Sequence, residues 1–107
     1  MTTVELLPQT RQLLDESLPD ERNIDAKLRR LLEAEYLREL ARYRRTELAL
    51  ARKYNLSFDK FLAQGVVRQR EYSWEVEQDA MAWETAVGGM ATIERKLKEL
   101  RTPSTWP

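Results

Sequence analysis

The chain has 107 residues, and its 18 Lys and Arg balance its 18 Asp and Glu, so the formal net charge is zero. This balance argues against a protein that coats nucleic acid, because such proteins are basic overall. Cysteine and histidine are absent. Their absence excludes disulfides, thiolate nucleophiles and Cys/His zinc sites, and it leaves acid–base chemistry at neutral pH to carboxylates.

The length predicts a single helical domain over residues 1–107. A domain of this size buries a small share of its surface, so a second apolar face has to find another chain. The longest uncharged run in the body of the chain, residues 85–93, has nine residues, which is too short to span a membrane. The N-terminus lacks the basic and apolar segments of a secretory signal, so the expected location is cytoplasmic.

The first part of the chain, residues 1–19, is rich in leucine but is interrupted by Pro8 and closed by Pro19. Proline is tolerated in the first turn of a helix and not in its interior. One interpretation is therefore a short helix from about Pro8 to Leu18. The other is a frayed N-terminal arm.

A long helix is predicted over residues 20–54, with Asp20 as its N-cap and with Arg52 and Lys53 in its last turn, where they suit the helix dipole. Six apolar side chains share about a third of its circumference. They are Leu28, Leu32, Tyr36, Tyr43, Leu50 and Tyr54. A different side of the helix carries Leu37, Ala41 and Leu48. The helix therefore has two apolar faces, and a single hairpin partner covers only one of them.

A short helix is predicted over residues 57–65, capped by Ser57 and ended by Gly65, after Asn55 has closed the long helix. From residue 65 to residue 71 the chain is predicted to be a connector. Two adjacent valines in this stretch either prolong the short helix or form a brief extended turn.

A second long helix is predicted over residues 73–101, with Ser73 as its N-cap, acidic residues at its start and basic residues at its end. Its apolar side chains recur at four-three spacing, and their stripe drifts round the helix as in a left-handed coiled coil. They are Val76, Ala80, Trp83, Val87 and Met90, followed by Ala86, Ile93, Leu97 and Leu100. Residues 102–107 are predicted to be a tail without periodicity.

The order of these elements predicts an all-α fold, a long antiparallel helical hairpin with a short connecting helix, because two long helices with a compact linker ordinarily fold back on each other. Residues 26–56 carry nine basic and four acidic side chains, whereas residues 71–94 carry six acidic and no basic ones. Such charges select the pairing more than they stabilise it, because an exposed ion pair contributes little.

Few patterns in the chain indicate catalysis. The adjacent Gly88 and Gly89 have no strand before them and no Lys-Ser/Thr after them, so they indicate a close helix approach or a kink and not a phosphate loop. Carboxylates on helices can hold magnesium, as in all-helical pyrophosphohydrolases. The candidates are Glu35 with Glu39 and Glu77 with Glu84. Neither pair belongs to a cluster of four on one face, so we predict no metal and no cofactor.

A basic strip on the first long helix is a candidate for binding nucleic acid. It comprises Arg38, Arg42, Arg44, Arg45, Arg52 and Lys53, with Tyr43 and Tyr54 as stacking groups. However, the two tyrosines also belong to the apolar stripe, and four glutamates interleave with the arginines. The pattern therefore argues against direct nucleic-acid binding.

The second long helix has a second apolar patch. With Val76 and Trp83 facing the hairpin partner, Trp74 and Met81 point to the opposite side, and a groove of small uncharged residues extends that side. Trp and Met are enriched where proteins meet, and a large apolar residue left to water is costly unless it is covered. The open alternative is that the N-terminal segment or the short helix of the same chain covers this patch.

Three stretches of the sequence resemble a group of small helical proteins from bacteria and archaea, the antitoxin components of two-gene toxin–antitoxin modules. They are Lys-Tyr-Asn-Leu-Ser-Phe-Asp-Lys-Phe from residue 53, Tyr-Ser-Trp-Glu-Val-Glu-Gln-Asp-Ala-Met-Ala-Trp-Glu from residue 72, and Ile-Glu-Arg-Lys-Leu-Lys-Glu-Leu from residue 93. The likeness covers roughly residues 26–101. It implies a protein that binds a small ribonuclease-like toxin and holds it inactive.

The interpretation that follows is a non-enzymatic protein-binding module. Its partner-binding residues are predicted to be Tyr72, Trp74, Glu75, Glu77, Met81 and Glu84. We also expect a homodimer, a helical bundle in which Leu37, Ala41 and Leu48 form the contact. Two alternatives remain open, a magnesium-dependent all-α nucleotide hydrolase and a structural coiled-coil adaptor.

Overall fold

The computed structural model describes residues 5–102. Within this range the chain forms five helices and no strand: α1 (Pro8–Ser17), α2 (Ile24–Tyr54), α3 (Phe58–Ala63), α4 (Val66–Gln69) and α5 (Trp74–Arg101). The all-α prediction is therefore confirmed. Most of the tail predicted for residues 102–107 and the start of the N-terminal arm lie outside the described residues.

The described chain falls into two compact units, the first ending at Ala34 and the second beginning at Glu35. The boundary lies inside α2 and not in a loop. This is why no shift in composition announces it, since a continuous helix crosses from one unit into the next.

The first unit contains α1 and the start of α2. Pro8 is the first residue of α1, where its fixed φ suits a helix and its missing N–H costs nothing. Leu14 is buried. The Lys27 side chain is buried as well, and its ammonium donates a hydrogen bond to the Asp15 carboxylate, so its charge is compensated.

The start of α2 corrects one prediction from the sequence. Asp20 was predicted to cap this helix, but the side-chain oxygen of Asn23 accepts a hydrogen bond from the backbone N–H of Ala26 at 2.8 Å. The chain needs the intervening residues to turn away from α1, and the N–H of Glu21 already donates to the carbonyl of Leu18 within that turn. Asn and Asp are about equally good caps, so the position of the turn decides between them.

The second unit is an antiparallel helical hairpin of the later part of α2 and α5. Contacts run in opposite directions along the two helices: Lys53 bonds Asp79, Tyr43 lies against Gly89, and the ammonium of Lys96 lies 5.9 Å from the centre of the Tyr36 ring. From Lys53 to Tyr36 the residue numbers on α2 decrease while those of the contacted residues on α5 increase. This is the antiparallel pairing that the opposite charges of the two helices favoured.

Two apolar clusters hold this hairpin together. The larger one surrounds Trp83, which is 0% exposed, and it includes the buried residues Leu50, Phe61, Val66 and Val76. The ring centre of Trp83 lies 5.0 Å from that of Phe61 and 5.9 Å from that of Tyr54, distances at which aromatic pairs attract. The smaller cluster consists of Leu40, Ile93 and Leu97.

The connection between α2 and α5 depends on four residues with positive φ: Asn55, Gly65, Glu71 and Tyr72. Asn55 ends α2 in a left-handed conformation, and the N–H of Leu56 then bonds the carbonyl of Ala51 at 3.2 Å, as in a Schellman motif. The predicted caps Ser57 and Ser73 are present, and each hydroxyl accepts from the backbone N–H three residues later. The predicted connector contains the short helix α4.

None of the helices in residues 5–102 is both long enough and apolar enough to cross a membrane.

Candidate protein-binding surface

The outward side of α5 carries large apolar side chains that are exposed. Trp74 is 76% exposed and Met81 is 63% exposed, whereas Val76 and Trp83 on the opposite side of the same helix are 5% and 0% exposed. Thr85, Gly88 and Thr92 continue the outward side and are exposed too. We call these five residues, Trp74, Met81, Thr85, Gly88 and Thr92, the α5 strip. Within the second unit, α3 does not cover it, because Trp74 and Met81 remain largely exposed.

Acidic side chains border the α5 strip. Glu77 and Glu84 lie about 40–60° round the helix from Met81 at 100° per residue, and Glu84 is exposed while Glu77 is half-buried. No basic residue occurs between residue 71 and residue 94. A partner on this surface therefore meets an apolar centre with a negative edge.

Glu75, another predicted partner-binding residue, is engaged within the chain. Its carboxylate accepts a hydrogen bond from the Lys53 ammonium at 2.6 Å, and it lies about 120° round α5 from Met81. Its side chain remains 72% exposed, so it belongs to the rim of the surface and not to the edge of the strip.

Tyr72 stands at the start of the α5 strip, 59% exposed. Its φ is 55°, and that of Glu71 is also 55°. Two successive residues with side chains in the left-handed region cost on the order of 1–2 kcal/mol each. The backbone N–H of Tyr72 donates to the carbonyl of Val67 at 2.9 Å, which stabilises the turn. Tyr72 and Trp74, separated by Ser73, therefore lie at the tip of the hairpin.

A polar network ties the end of α2 to the start of α5. Asp79 accepts hydrogen bonds from the Lys53 ammonium at 2.7 Å and from the Tyr54 hydroxyl at 2.5 Å. Partial burial acts to raise the pKa of the Asp79 carboxyl, but these two hydrogen bonds and the Lys53 charge outweigh burial and hold the pKa below its usual value. Desolvation and the bond to Asp79 raise the pKa of Tyr54 to about 12.

Two grooves run along the hairpin. The Met81 groove, of about 500 Å³, is lined by Arg42 and Thr46 of α2 and by Met81 and Thr85 of α5. The Leu37 groove, of about 460 Å³, is lined by Leu37, Arg44, Glu94 and Lys98, among others. Arg44 and Thr46 are two residues apart, which turns a side chain by about 200° on a helix. The grooves therefore lie on opposite sides of α2.

No protein-family model, curated protein or solved structure matches the chain.

The second apolar face of α2 is exposed as well. Leu37 is 45% exposed, Leu48 is 48% exposed, and Ala41 between them is exposed too. We call Leu37, Ala41 and Leu48 the α2 face. They lie about 140–180° round the helix from the buried Leu50. Leu37 is also next to the buried Leu40, and both line the Leu37 groove. The prediction that one helix partner covers only one apolar side of α2 is confirmed for this part of the chain.

The carboxylates weighed as magnesium ligands do not form a site. Glu35 forms a two-point pair with the guanidinium of Arg38, with its Oε2 2.9 Å from Nε, and this pairing lowers the pKa of Glu35. Residues 5–102 contain no group of three or more acidic side chains placed to hold a metal ion.

The candidate nucleic-acid strip is divided by the fold. Tyr54 packs against Trp83, and Tyr43 lies against Gly89 with the Arg42 guanidinium 5.3 Å from its ring centre, so both rings make contacts within the hairpin. Lys53 is held by Asp79, while Arg44 approaches Glu94 at 3.6 Å. Of the remaining arginines, Arg38 pairs with Glu35 and Arg42 lines the Met81 groove, whereas Arg45 and Arg52 lie next to the α2 face.

Sequence reasoning missed two features of this surface. It did not single out Leu40, which is 4% exposed and belongs to the smaller cluster, because the stripe chosen on α2 passed beside it. It also missed the Met81 groove, whose floor is set by the register of the two helices. The sequence signal for the groove was Thr46, an uncharged residue within the basic helix. This signal can be interpreted only when the position of Thr46 relative to α5 is known.

Proposed function

We propose that the chain is a non-enzymatic protein-binding module that uses the α5 strip to hold its partner. The observation that carries this proposal is the exposure of Trp74 and Met81, at 76% and 63%, on a helix whose other side supplies the core. Contiguous exposed apolar groups in a small domain mark interaction surfaces. Trp is also the residue type most enriched among those that dominate binding energy.

The partner has an apolar pocket with a basic rim. Trp74 and Met81 enter the pocket, and Glu77 and Glu84 face the rim together with Glu75 beyond them. A basic surface of this kind is one that meets RNA phosphates. With the resemblance of residues 26–101 to antitoxins, this favours a small ribonuclease-like toxin encoded by the adjacent gene, which the chain binds and keeps inactive in the cytoplasm.

The α2 face is the candidate surface for self-association. Leu37 and Leu48, each nearly half exposed, are apolar groups that a second copy removes from water. We also propose, separately from the binding role, that the chain self-associates through this face.

Co-expression and pull-down with the product of the adjacent gene tests the binding role. We expect Trp74→Ala and Met81→Ala each to weaken binding at least about tenfold, because truncating a central anchor typically costs about 2 kcal/mol or more. The control is Leu62→Ala, which removes from α3 an apolar side chain, 57% exposed, similar in size to Met81. Unchanged affinity in both strip variants, or an equal loss in the control, contradicts the assignment.

A further inference from the structure

The α2 face has a basic border with a regular interval. Arg38, Arg45 and Arg52 follow one another every seven residues, which on a helix means nearly the same side and an advance of about 10 Å. Arg45 and Arg52 are exposed, and no described residue forms an ion pair with either. The nearest glutamates along the helix, at positions 39 and 47, lie more than about 100° away from Arg45 round α2.

The α5 strip has the same interval and the opposite charge. Trp74, Met81 and Gly88 recur every seven residues, and so do Glu77 and Glu84 beside them. Each surface therefore consists of one apolar row and one charged row, and the residues of both rows recur every seven positions. A seven-residue repeat on both partners is the pattern by which helices pack side by side over a long contact.

We propose that the α2 face of one copy docks on the α5 strip of a second copy. In this contact Leu48 and Ala41 pack on Met81 and its row, and Arg45 and Arg52 meet the glutamates of the strip. Pairing two α2 faces instead brings two rows of arginine together, and like charges at a contact oppose association. Charge thus selects a contact between unlike faces.

In a pair of chains, this contact leaves one α2 face and one α5 strip uncovered. The α2 face adjoins the Leu37 groove and the α5 strip adjoins the Met81 groove, on opposite sides of the hairpin. A single twofold axis therefore does not close both contacts, and the association is head-to-tail. In a pair of copies one α5 strip is covered and the other is free.

The contact regulates the site assigned above, and in this respect it rests on the proposed function. A partner with a basic, apolar surface and the α2 face of a second copy compete for the same α5 strip. Self-association then holds the strip until the partner, binding more tightly, displaces the neighbouring copy.

Charge reversal of each surface tests the contact by sedimentation velocity over a series of protein concentrations. The α2 reversal is Arg45→Glu with Arg52→Glu, and the α5 reversal is Glu77→Arg with Glu84→Arg. We expect each reversed protein alone to associate at least about tenfold more weakly than the natural chain. We expect an equimolar mixture of the two to associate again, because each then offers the charge that the other lacks.

The control matched to the α2 reversal is Lys60→Glu with Arg68→Glu, which lowers the net charge by the same four units at exposed positions outside both surfaces. We expect it to associate like the natural chain. Circular dichroism of every variant checks that the helices are intact. An α5 reversal that associates normally overturns the proposal in favour of α2 faces pairing with each other. A natural chain that stays monomeric overturns the proposal too. If, in that case, the α2 reversal loses RNA or DNA binding and the other variants keep it, the arginines of the α2 face are assigned to nucleic acid.

The partner pull-down separates this inference from the proposed function. The α2 reversal keeps its α5 strip, so it is expected to bind the partner while failing to self-associate. If the natural chain binds the partner through Trp74 but does not self-associate, the inference alone is wrong. If the mixture of reversals associates but Trp74→Ala binds the partner normally, the proposed function alone is wrong.

Discussion

Gly88 and Gly89 are neighbours in sequence that meet different surroundings. A methyl group at Gly88 has open space around it, whereas one at Gly89 lies 2.6 Å from the Cζ atom of the Tyr43 ring, closer than real carbon contacts allow. The close helix approach that the pair indicated is therefore located at Gly89, where the absence of a side chain lets the Tyr43 ring lie against the α5 backbone.

Substitution by alanine separates the two glycines. We expect Gly88→Ala to raise the free energy of unfolding by about 0.5–1 kcal/mol, because alanine favours the helix and meets no obstacle. We expect Gly89→Ala to lower it by about 1–2 kcal/mol, since displacing the Tyr43 ring outweighs the same helix preference. Chemical denaturation of both variants measures the difference. Tyr43→Ala with Gly89→Ala is the control, in which the alanine should no longer be harmful, and equal stability of the two single variants argues against a close approach.

At the scale of the element, polar side chains connect the end of α2 to the start of α5. Lys53 and Tyr54 close α2, and both donate to Asp79 in the second turn of α5. This tie acts next to the larger apolar cluster, at the point where the chain leaves the hairpin through α3 and α4. Its strength depends on the protonation of Asp79.

We expect Asp79→Asn to lower the free energy of unfolding by about 1–2 kcal/mol at neutral pH, because it removes a charged acceptor from two donors. The pKa of Asp79 is lowered in the folded chain. Its contribution is therefore present above the unfolded pKa of about 4 and is lost as the pH falls through the lower folded value. Denaturation of both proteins between neutral and acidic pH measures this, and the two stabilities should converge in acid. Glu84→Gln, at an exposed carboxylate, is the control and should show no such difference. A constant gap at all pH values contradicts the role of the Asp79 charge.

Much of the element structure could be predicted because caps and periodicity are local. Ser57 and Ser73 are sequence signals for helix starts, and both were confirmed. The strip could be predicted as well, because a spacing of seven residues places Trp74 and Met81 on one side whatever the partner. The pairing of Glu75 with Lys53 could not, since it depends on the register between two helices. Helix α4 has four residues, too few for a period to be visible.

The buried groups of the whole chain are distributed unevenly between its two units. In the second unit the two clusters supply most of the buried apolar side chains. In the first unit Leu14 is the buried apolar residue of α1, and a helix of ten residues is too short to be stable in water by itself. Local stability follows the number of buried apolar contacts, so it should differ between the units.

Hydrogen exchange measured by NMR gives this difference directly. We expect the backbone amides of α1 to exchange much faster than those of α5 between Val76 and Leu97, because no residue of α1 belongs to either cluster. Amides in the first turn of each helix, which have no acceptor within the helix, are left out of the comparison. Equal protection in α1 and α5 contradicts the expected difference and indicates that the chain opens in one step.

The chain has three tryptophans, and in a Trp106→Phe background the contrast between Trp74 and Trp83 gives it two optical reporters of its own. The indole of Trp83 is enclosed by aromatic rings, and no described residue accepts a hydrogen bond from its N–H, so its fluorescence should lie at short wavelengths until the hairpin melts. The indole of Trp74 is exposed to solvent and should emit at long wavelengths until an apolar partner surface buries it. A blue shift without any change in helix content would then signal docking at the α5 strip, and a red shift would signal loss of the core, with no label attached to the protein.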